Sequence, residues 1–217
     1  MEASPLIAGV TVEVGRDAVW VRSLEPLGVL SSALVGADLT VTRHIVNMHV
    51  PQGYRGEDPA EDLRAFVRAR GVAEAFVGLM TAAWTHEARA VMETRDGVAV
   101  SAIATVGLGT LVAAGLSPPA PWRPSTINTI VLLDARLDPA AAVNAVITAT
   151  EAKVAALAEA AVVTPDGARA TGTVTDAVVI AWTGRGRRLE YLGPAAPGGW
   201  LVARAVRRAV AEGLGRR

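Results

Sequence analysis

The sequence contains no cysteine among its 217 residues. This absence excludes a disulfide framework, a zinc site built on thiolates and a cysteine nucleophile. Aromatic residues are also scarce, at 4%, although hydrophobic residues make up 51% of the chain. Alanine, valine and leucine must therefore fill most of the core, and the chain is long enough to bury one.

An excess of either charge is missing as well, since 21 lysines and arginines balance 21 aspartates and glutamates. No net field favours nucleic acid or an anionic membrane surface as a partner. The weakly charged stretch 139–150 is shorter than the roughly 20 residues that span a bilayer, and Glu2 stands where a signal peptide would be basic. We expect a cytoplasmic protein, and the Ala, Arg, Gly and Val bias is typical of a GC-rich bacterial genome.

Histidine is rare too, with only three in the chain. His44 and His49 are five apart on a segment that reads as a strand, so they face opposite sides and cannot form a paired metal site there. We therefore predict no metal centre.

Turn signals and alternating apolar residues predict several strands. The segments "VTVEVG" and "AVWVRS" flank a hairpin turn at 15–17, and Asp96-Gly97 is a second hairpin dipeptide within 87–107. Further strands are predicted by composition at 39–50, 126–137 and 176–183, the last with 187–191 as its partner. Four prolines make 115–125 a surface loop, and its Trp122 is interpreted either as a lid or stacking residue or as a side chain that closes over the core.

Three helices complete the pattern. Asp58 is a suitable N-cap for a helix that ends at Gly71. A long helix begins at Asp138-Pro139 and runs to about residue 161, and an amphipathic helix covers 198–214. These elements predict a single α+β domain over residues 1–217, with a mixed, largely antiparallel sheet built from hairpins and flanked by helices.

The long helix carries polar residues in its middle. Its core stripe is predicted from the helical period as Val143, Ile147, Thr150, Val154, Leu157 and Ala161. Glu151 and Lys153 flank that stripe, and Lys153 is a neighbour of Thr150 on the helix surface. A buried lysine can act as a base or stabilise an oxyanion. The alternative is that Glu151 and Lys153 are solvated shoulders of an ordinary helix.

A second polar cluster, "ATGTVTDAVVIAW", lies at 170–182. If the segment is extended, Thr171, Thr173 and Thr175 share one face and form the polar wall of a pocket, and Gly172 lets the backbone approach another group closely. The alternative is a threonine-rich edge strand or a turn with Asp176 as its cap. Because consecutive elements usually neighbour in space, we expect Glu151, Lys153 and Asp176 to converge.

These motifs together resemble the adenosylcobinamide amidohydrolase family over roughly residues 28–212. The family hydrolyses the amide that joins a propionate side arm of the corrin ring to aminopropanol, which releases adenosylcobyric acid for salvage toward coenzyme B12. The segments that carry the resemblance are "VNMHVP" (46–51), "VGLMTAA" (77–83), "TIN" (126–128), "NAVITATEAKVAAL" (144–157) and "ATGTVTDAVVIA" (170–181).

The resemblance implies roles for the polar residues. Either Glu151 or Asp176 would activate water, and Lys153 would stabilise the oxyanion or protonate the amine; a covalent route through Thr150 is the alternative mechanism. The substrate is a corrinoid, the cobalt arrives inside it, and no other cofactor is implied; a homo-oligomer is left open. The hydrogen-bonding groups that would line the pocket are Asn47, Thr81, Asn128, Thr171, Thr173 and Thr175.

The chain departs from the family pattern at four places. Val174 and Ser125 stand where glycine is usual, Gly109-Thr110 replaces an asparagine-alanine pair, and 193–199 lacks a histidine-threonine pair. These departures motivate an alternative function, a relative that binds a corrinoid without hydrolysing it. A scaffold protein in which both clusters are structural is a third interpretation.

Overall fold

The computed structural model describes residues 3–215, with side chains from residue 7. Three α-helices lie within this range: α1 (Pro59–Arg68), α2 (Pro139–Glu159) and α3 (Pro197–Leu214). The strands within it are β1 (Ala3–Ile7), β2 (Val10–Val14), β3 (Ala18–Ser31), β4 (Val41–His49), β5 (Val77–Thr81), β6 (Arg89–Arg95), β7 (Val98–Val106), β8 (Leu111–Val112), β9 (Ile127–Leu133), β10 (Arg136–Leu137), β11 (Gly172–Thr173), β12 (Ala177–Trp182) and β13 (Arg188–Leu189).

Nine of these strands form one sheet. Its order is β1-β2-β3-β12-β9-β7-β6, and β4 joins β3 to β5 beside this path. Most neighbours are antiparallel, whereas β4 with β5 and β9 with β12 are parallel. The predicted fold class, a single α+β domain with a mixed and largely antiparallel sheet, is confirmed.

Local chemistry explains the predicted turns and caps. Asp96 and Gly97 both have positive φ, 49° and 77°, which is the geometry of a tight hairpin turn between β6 and β7. The Asp58 side chain accepts a hydrogen bond from the Glu61 amide at the start of α1, as its N-cap role requires.

The sheet buries three apolar clusters, which places the helices on its two outer sides. Alternate residues of β9 face different clusters: Val131 and Leu133 pack against α2 and α3, while Ile130 and Leu132 pack against residues of β1 to β5. A third cluster lies under α1. The two halves of the sheet, joined through the long strand β3, therefore enclose a common core, with α1 outside one half and α2 and α3 outside the other.

The predicted core stripe of α2 is wrong. Val143 and Ile147 are 52% and 49% exposed, and Thr150 is exposed. The buried face is formed mainly by alanines, together with Leu157 and Lys153. Small side chains let α2 pack closely against α3 and the sheet, and of the large aliphatic residues in the predicted stripe Leu157 is buried whereas Val143 and Ile147 face outward.

By length and composition alone, α2 is long and apolar enough to cross a membrane, because it contains few charged residues. The uncharged stretch 139–150 is shorter than a membrane span, as the sequence indicates, whereas the whole helix is long enough to form one. One face of α2, which includes Ala145, Ala149 and Leu157, is nevertheless buried against α3 and the sheet.

The partner predicted for β12 is also wrong. Strand β13 pairs in parallel with β10 rather than with β12, and the neighbours of β12 are β3 and β9. Gly184 and Gly186 both have positive φ, so the chain turns sharply after β12 and crosses to the end of β9.

Candidate functional site

The two polar clusters meet at one buried ion pair. Lys153 Nζ lies 2.5 Å from Asp176 Oδ2, and their side chains are 11% and 14% exposed. This contact confirms the predicted convergence of Lys153 with Asp176. It also excludes the interpretation of Lys153 as a solvated shoulder.

Asp176 is held from several directions because of where the chain places it. It immediately precedes β12, which runs parallel to β9, so it lies beside the start of β9. Its Oδ1 accepts hydrogen bonds from the Ile127 amide at 3.0 Å and from Thr173 Oγ1 at 2.5 Å, with Thr126 Oγ1 at 3.4 Å. One oxygen is thus fixed by β9 and β11, and the other faces the lysine.

Gly172 makes room for this pair. A Cβ atom at Gly172 would lie 2.2 Å from Asp176 Oδ2 and 2.7 Å from Lys153 Nζ. Such distances are far inside van der Waals contact, so only glycine fits without displacing the pair. The predicted close approach at Gly172 is therefore an approach to the two charged groups themselves.

Asp176 opens onto a cleft of about 380 Å³, which we call the reaction cleft. Its polar groups include Asn128 from β9 and Thr175 beside Asp176, and its apolar walls come partly from Met80 and Trp122. Lys153 lies behind Asp176 and is not part of the lining. The complete lining is Ser32, Ala33, Leu34, Leu79, Met80, Trp122, Asn128, Thr175, Asp176 and Ala177.

A buried amide network supports the floor of the reaction cleft. Asn128 Nδ2 donates to Asn47 Oδ1 at 2.9 Å and to the Met80 carbonyl at 3.0 Å, and Asn47 Nδ2 donates to Thr105 Oγ1 at 2.9 Å. Asn47 and Asn128 are each 2% exposed. Within the described chain, the Oδ1 of Asn128 is buried without a hydrogen-bond partner.

Replacing Asn47 tests the network. Asn47→Leu leaves both Thr105 and Asn128 without the partner that Asn47 provides, and each buried polar group so orphaned costs about 1–3 kcal/mol. We expect the free energy of unfolding in urea to fall by about 3 kcal/mol. Asn144→Leu is the matched control, since Asn144 makes no side-chain hydrogen bond within residues 3–215. Equal losses in the two variants would contradict the network.

The remaining predicted pocket threonines have diverse contacts. Among residues 171–176, only Gly172 and Thr173 form a strand, so Thr171, Thr173 and Thr175 do not share one face. Thr173 binds Asp176, whereas Thr171 Oγ1 accepts from the Ala114 amide and Thr175 Oγ1 donates to the Arg123 carbonyl. Thr171 and Thr175 thus hold the two ends of the proline-rich loop.

Thr81 is buried at the end of β5, and its Oγ1 accepts from the Ala83 amide. The next amide, that of Ala82, donates to the Pro124 carbonyl at 2.6 Å. Thr81 is outside the lining of the reaction cleft, and its turn provides another anchor for the proline-rich loop.

The structure does not bring Glu151 and Thr150 to the ion pair. Glu151 is exposed and lines a different cleft with Trp200 and Arg207. Thr150 is exposed, and its hydroxyl donates to the Val146 carbonyl within α2. Of the two carboxylates that the sequence offers as a base, the geometry favours Asp176.

Glu151→Gln therefore separates the two candidate bases. Because Glu151 lies outside the reaction cleft, we expect its amide variant to keep a nearly unchanged hydrolysis rate and a stability within about 0.5 kcal/mol of the parent. Steady-state rates and urea unfolding measure both quantities. A folded variant without turnover would return Glu151 to the site.

Three of the four departures from the family pattern contact one another. Ser125 Oγ accepts from the Gly109 amide at 2.8 Å, Thr110 Oγ1 donates to the Ser125 carbonyl at 2.7 Å, and the Val174 amide donates to the Thr110 carbonyl. A Cβ at Gly109 would lie 2.4 Å from Ser125 Oγ. These residues fit each other as a set, and none of these contacts involves Lys153 or Asp176.

The site also contains residues that the sequence analysis did not predict. Thr126 is buried and its hydroxyl lies between Thr173 and Asp176; it belongs to the motif "TIN", but only Asn128 of that motif was predicted to line the pocket. Ser32 and Leu34 reach the cleft from the end of β3. Their position follows from the pairing of β3 with β12, which the local pattern does not predict.

A buried ammonium–carboxylate pair beside a cleft, on a small α+β fold, can transfer protons and stabilise charge, as hydrolases require. Comparisons with known proteins identify the family. The family model described as "Adenosylcobinamide amidohydrolase" matches residues 5–217. The chain belongs to the adenosylcobinamide amidohydrolase family.

One named relative agrees with this assignment. The adenosylcobinamide amidohydrolase of Methanosarcina mazei is 31% identical over 196 residues, which cover 85% of this chain and 88% of that protein. An uncharacterized protein of Methanocaldococcus jannaschii is 37% identical over 91 residues, or 41% of this chain and 35% of that protein. Among solved structures, the PH0078 protein from Pyrococcus horikoshii OT3 matches 99% of this chain and 81% of its own, with a TM-score of 0.53 and 12% identity; this likeness concerns the fold alone.

Proposed function

We propose that this protein hydrolyses the aminopropanol amide of adenosylcobinamide in the reaction cleft, giving adenosylcobyric acid for corrinoid salvage. Family membership over nearly the whole chain supports an amidohydrolase with this substrate. The observation that carries the location is the buried Lys153–Asp176 pair, whose carboxylate borders the cleft.

The reaction is a hydrolysis in which one C–N bond breaks and one C–O bond forms. Asp176 accepts a proton from a water molecule as that water attacks the amide carbonyl carbon, and the same carboxyl group returns the proton to the leaving amine. The products are a carboxylate on the corrin side arm and aminopropanol.

Lys153 orients Asp176 through their direct contact, and its positive charge lies behind that carboxylate, outside the lining of the reaction cleft. Asn128 and Thr175 border the same cleft and would bind the amide arm. Asn47 and Thr173 would act through Asn128 and Asp176, and Thr81 and Thr171 through the loop that they anchor. The covalent route through Thr150 has no support from its exposed position.

The cobalt ion is part of the substrate in this proposal, and no resident metal or cofactor takes part. A cytoplasmic location belongs to the proposal too, since the substrate is a salvage intermediate. A bacterial source stays a prediction from composition, because the two relatives described above are archaeal.

The direct test is to incubate the purified protein with adenosylcobinamide and to measure released aminopropanol. We expect stoichiometric release together with adenosylcobyric acid. A coloured complex that releases no amine would instead support the non-catalytic corrinoid-binding function, which the named relative does not favour.

A further inference from the structure

Trp122 lies on the border between two clefts. It lines the reaction cleft and also a neighbouring cleft of about 350 Å³, which we call the side cleft. Trp122 is 45% exposed, so a large part of its amphipathic surface is open to contact with a ligand. The side cleft is lined by Gln52, Gly53, Tyr54, Arg55, Gly56, Pro121, Trp122 and Arg123.

The backbone around this tryptophan is fixed. The carbonyl of Arg123, the next residue, accepts from Thr175 Oγ1 at 2.7 Å, and the carbonyl of Pro124 accepts from the Ala82 amide at 2.6 Å. Thr175 is adjacent to Asp176, so the loop is anchored at the rim of the reaction cleft itself. These hydrogen bonds fix the backbone next to Trp122, so its side chain has a defined position between the two clefts.

Tyr54 supports the indole from the side cleft. The two rings meet edge to face with centroids 6.4 Å apart, a favourable aromatic arrangement. The Tyr54 hydroxyl donates to Asp62, and burial together with this carboxylate raises the pKa of Tyr54 to about 12. The phenol thus stays neutral at physiological pH.

Two arginines add hydrogen-bond donors to the same surface. Arg55 and Arg123 are exposed, and neither guanidinium has a hydrogen bond or ion pair with any residue in the described part of the chain. Each carries five N–H donors and no acceptor. The side cleft therefore presents aromatic surface beside free donors.

We propose that Trp122 and the side cleft bind the periphery of the corrin macrocycle while its amide arm occupies the reaction cleft. The indole packs against the apolar edge of the ring, and Arg55 and Arg123 donate to oxygens of the neutral carboxamide side chains that neighbour the reacting arm. This inference rests on the proposed function and names where the rest of its substrate lies.

The sizes of the clefts support this division. A pocket for a drug-sized ligand holds about 300–1,000 Å³, and the reaction cleft is near the lower limit. A corrinoid is much larger than such a ligand, so only one of its arms fits inside. The macrocycle must lie outside, and Trp122 is the wall that both clefts share.

Trp122→Ala tests the inference through binding as well as turnover. We expect the Kd for adenosylcobinamide, followed by the corrinoid absorption spectrum, and the KM to rise by about tenfold or more, equivalent to about 1.4 kcal/mol. The kcat should change little, because the lost contact is made equally before and during the reaction. Trp200→Ala, on α3 and outside both clefts, is the matched control and should leave Kd and KM unchanged.

A small amide separates ring binding from chemistry. N-(2-hydroxypropyl)propanamide carries the scissile bond without a macrocycle, so the parent and the double variant Arg55→Gln, Arg123→Gln, whose side chains line the side cleft and not the reaction cleft, should cleave it equally slowly. The double variant Arg55→Gln, Arg123→Gln provides a second measurement if the tryptophan variant fails to fold, and its Kd should weaken as well.

The outcomes distinguish this inference from the proposed function. Unchanged Kd and KM in folded Trp122→Ala and in the arginine double variant would overturn the inference, even if the parent hydrolyses the substrate. Weaker corrinoid binding in these variants would support it, even if the parent protein released no aminopropanol and the proposed function failed.

Discussion

Lys153→Met is expected to lower the rate of adenosylcobinamide hydrolysis by on the order of a hundredfold or more. The substitution removes the positive charge that lies 2.5 Å from Asp176 Oδ2, and with it the contact that orients the base. It also leaves a largely buried carboxylate without its counter-ion, so the free energy of unfolding should fall by about 3 kcal/mol. Rates are measured on samples whose circular dichroism shows a folded protein.

The double variant Lys153→Met, Asp176→Asn distinguishes catalysis from stability. Removing both charges avoids the uncompensated carboxylate, so we expect stability to recover toward that of the parent protein. The rate should not recover, because the base is now absent as well. If folded Lys153→Met turned over at the parent rate, the ion pair would be structural and the chemistry would have to be sought elsewhere.

Gly172→Ala is expected to produce the second large effect. The new methyl group would overlap both Asp176 Oδ2 and Lys153 Nζ, so the pair must separate or the backbone must shift, at a cost of about 1–3 kcal/mol. Because misplacing a reacting group by about 1 Å can cost on the order of a hundredfold, we expect a loss in kcat of that order. Stopped assays of aminopropanol release and thermal unfolding measure the two effects.

Gly215→Ala is the matched control for this substitution. A Cβ at Gly215 would meet its nearest neighbour at an ordinary 3.6 Å, and its φ of −73° is accessible to alanine. We expect parent-like rate and stability there. A Gly172→Ala variant that behaved in the same way would show that the close packing around the pair is not required.

The sequence predicted the core of the candidate site for identifiable reasons. Lys153 lies on α2 and Asp176 immediately precedes β12, and only the two-residue strand β11 separates these two elements along the chain; elements so close in sequence usually pack together. Gly172 was notable because a glycine beside a polar cluster permits close approach. These inferences depend on local residue types and on chain order, both of which a single sequence contains.

The predicted convergence of Glu151 with Lys153 and Asp176 conflicts with the geometry of an α-helix. Residues two positions apart on an α-helix point about 200° apart around its axis, so Glu151 and Lys153 cannot both face Asp176. Alanine occurs on several sides of α2, which is apolar almost all round, so periodicity could not identify the buried face. The predicted stripe thus left Lys153 on its flank, whereas Lys153 belongs to the buried face of α2.

The other differences arise from tertiary structure. The parity argument for Thr171, Thr173 and Thr175 assumed an extended segment, yet β11 has only two residues and the threonines turn toward different partners. Likewise, the contribution of β3 to the reaction cleft depends on long-range pairing with β12. Neither follows from local propensity, because non-local contacts decide both.

The most direct test of the central claim is a crystal structure of Asp176→Asn with intact adenosylcobinamide. The amide variant keeps the shape of the site and removes the base, so the substrate should survive. We predict that the scissile carbonyl carbon lies within about 4 Å of the substituted side chain or reaches it through one water molecule, with the macrocycle over Trp122. A corrinoid whose aminopropanol arm instead enters the cleft lined by Glu151 and Trp200 would contradict the assignment of the site.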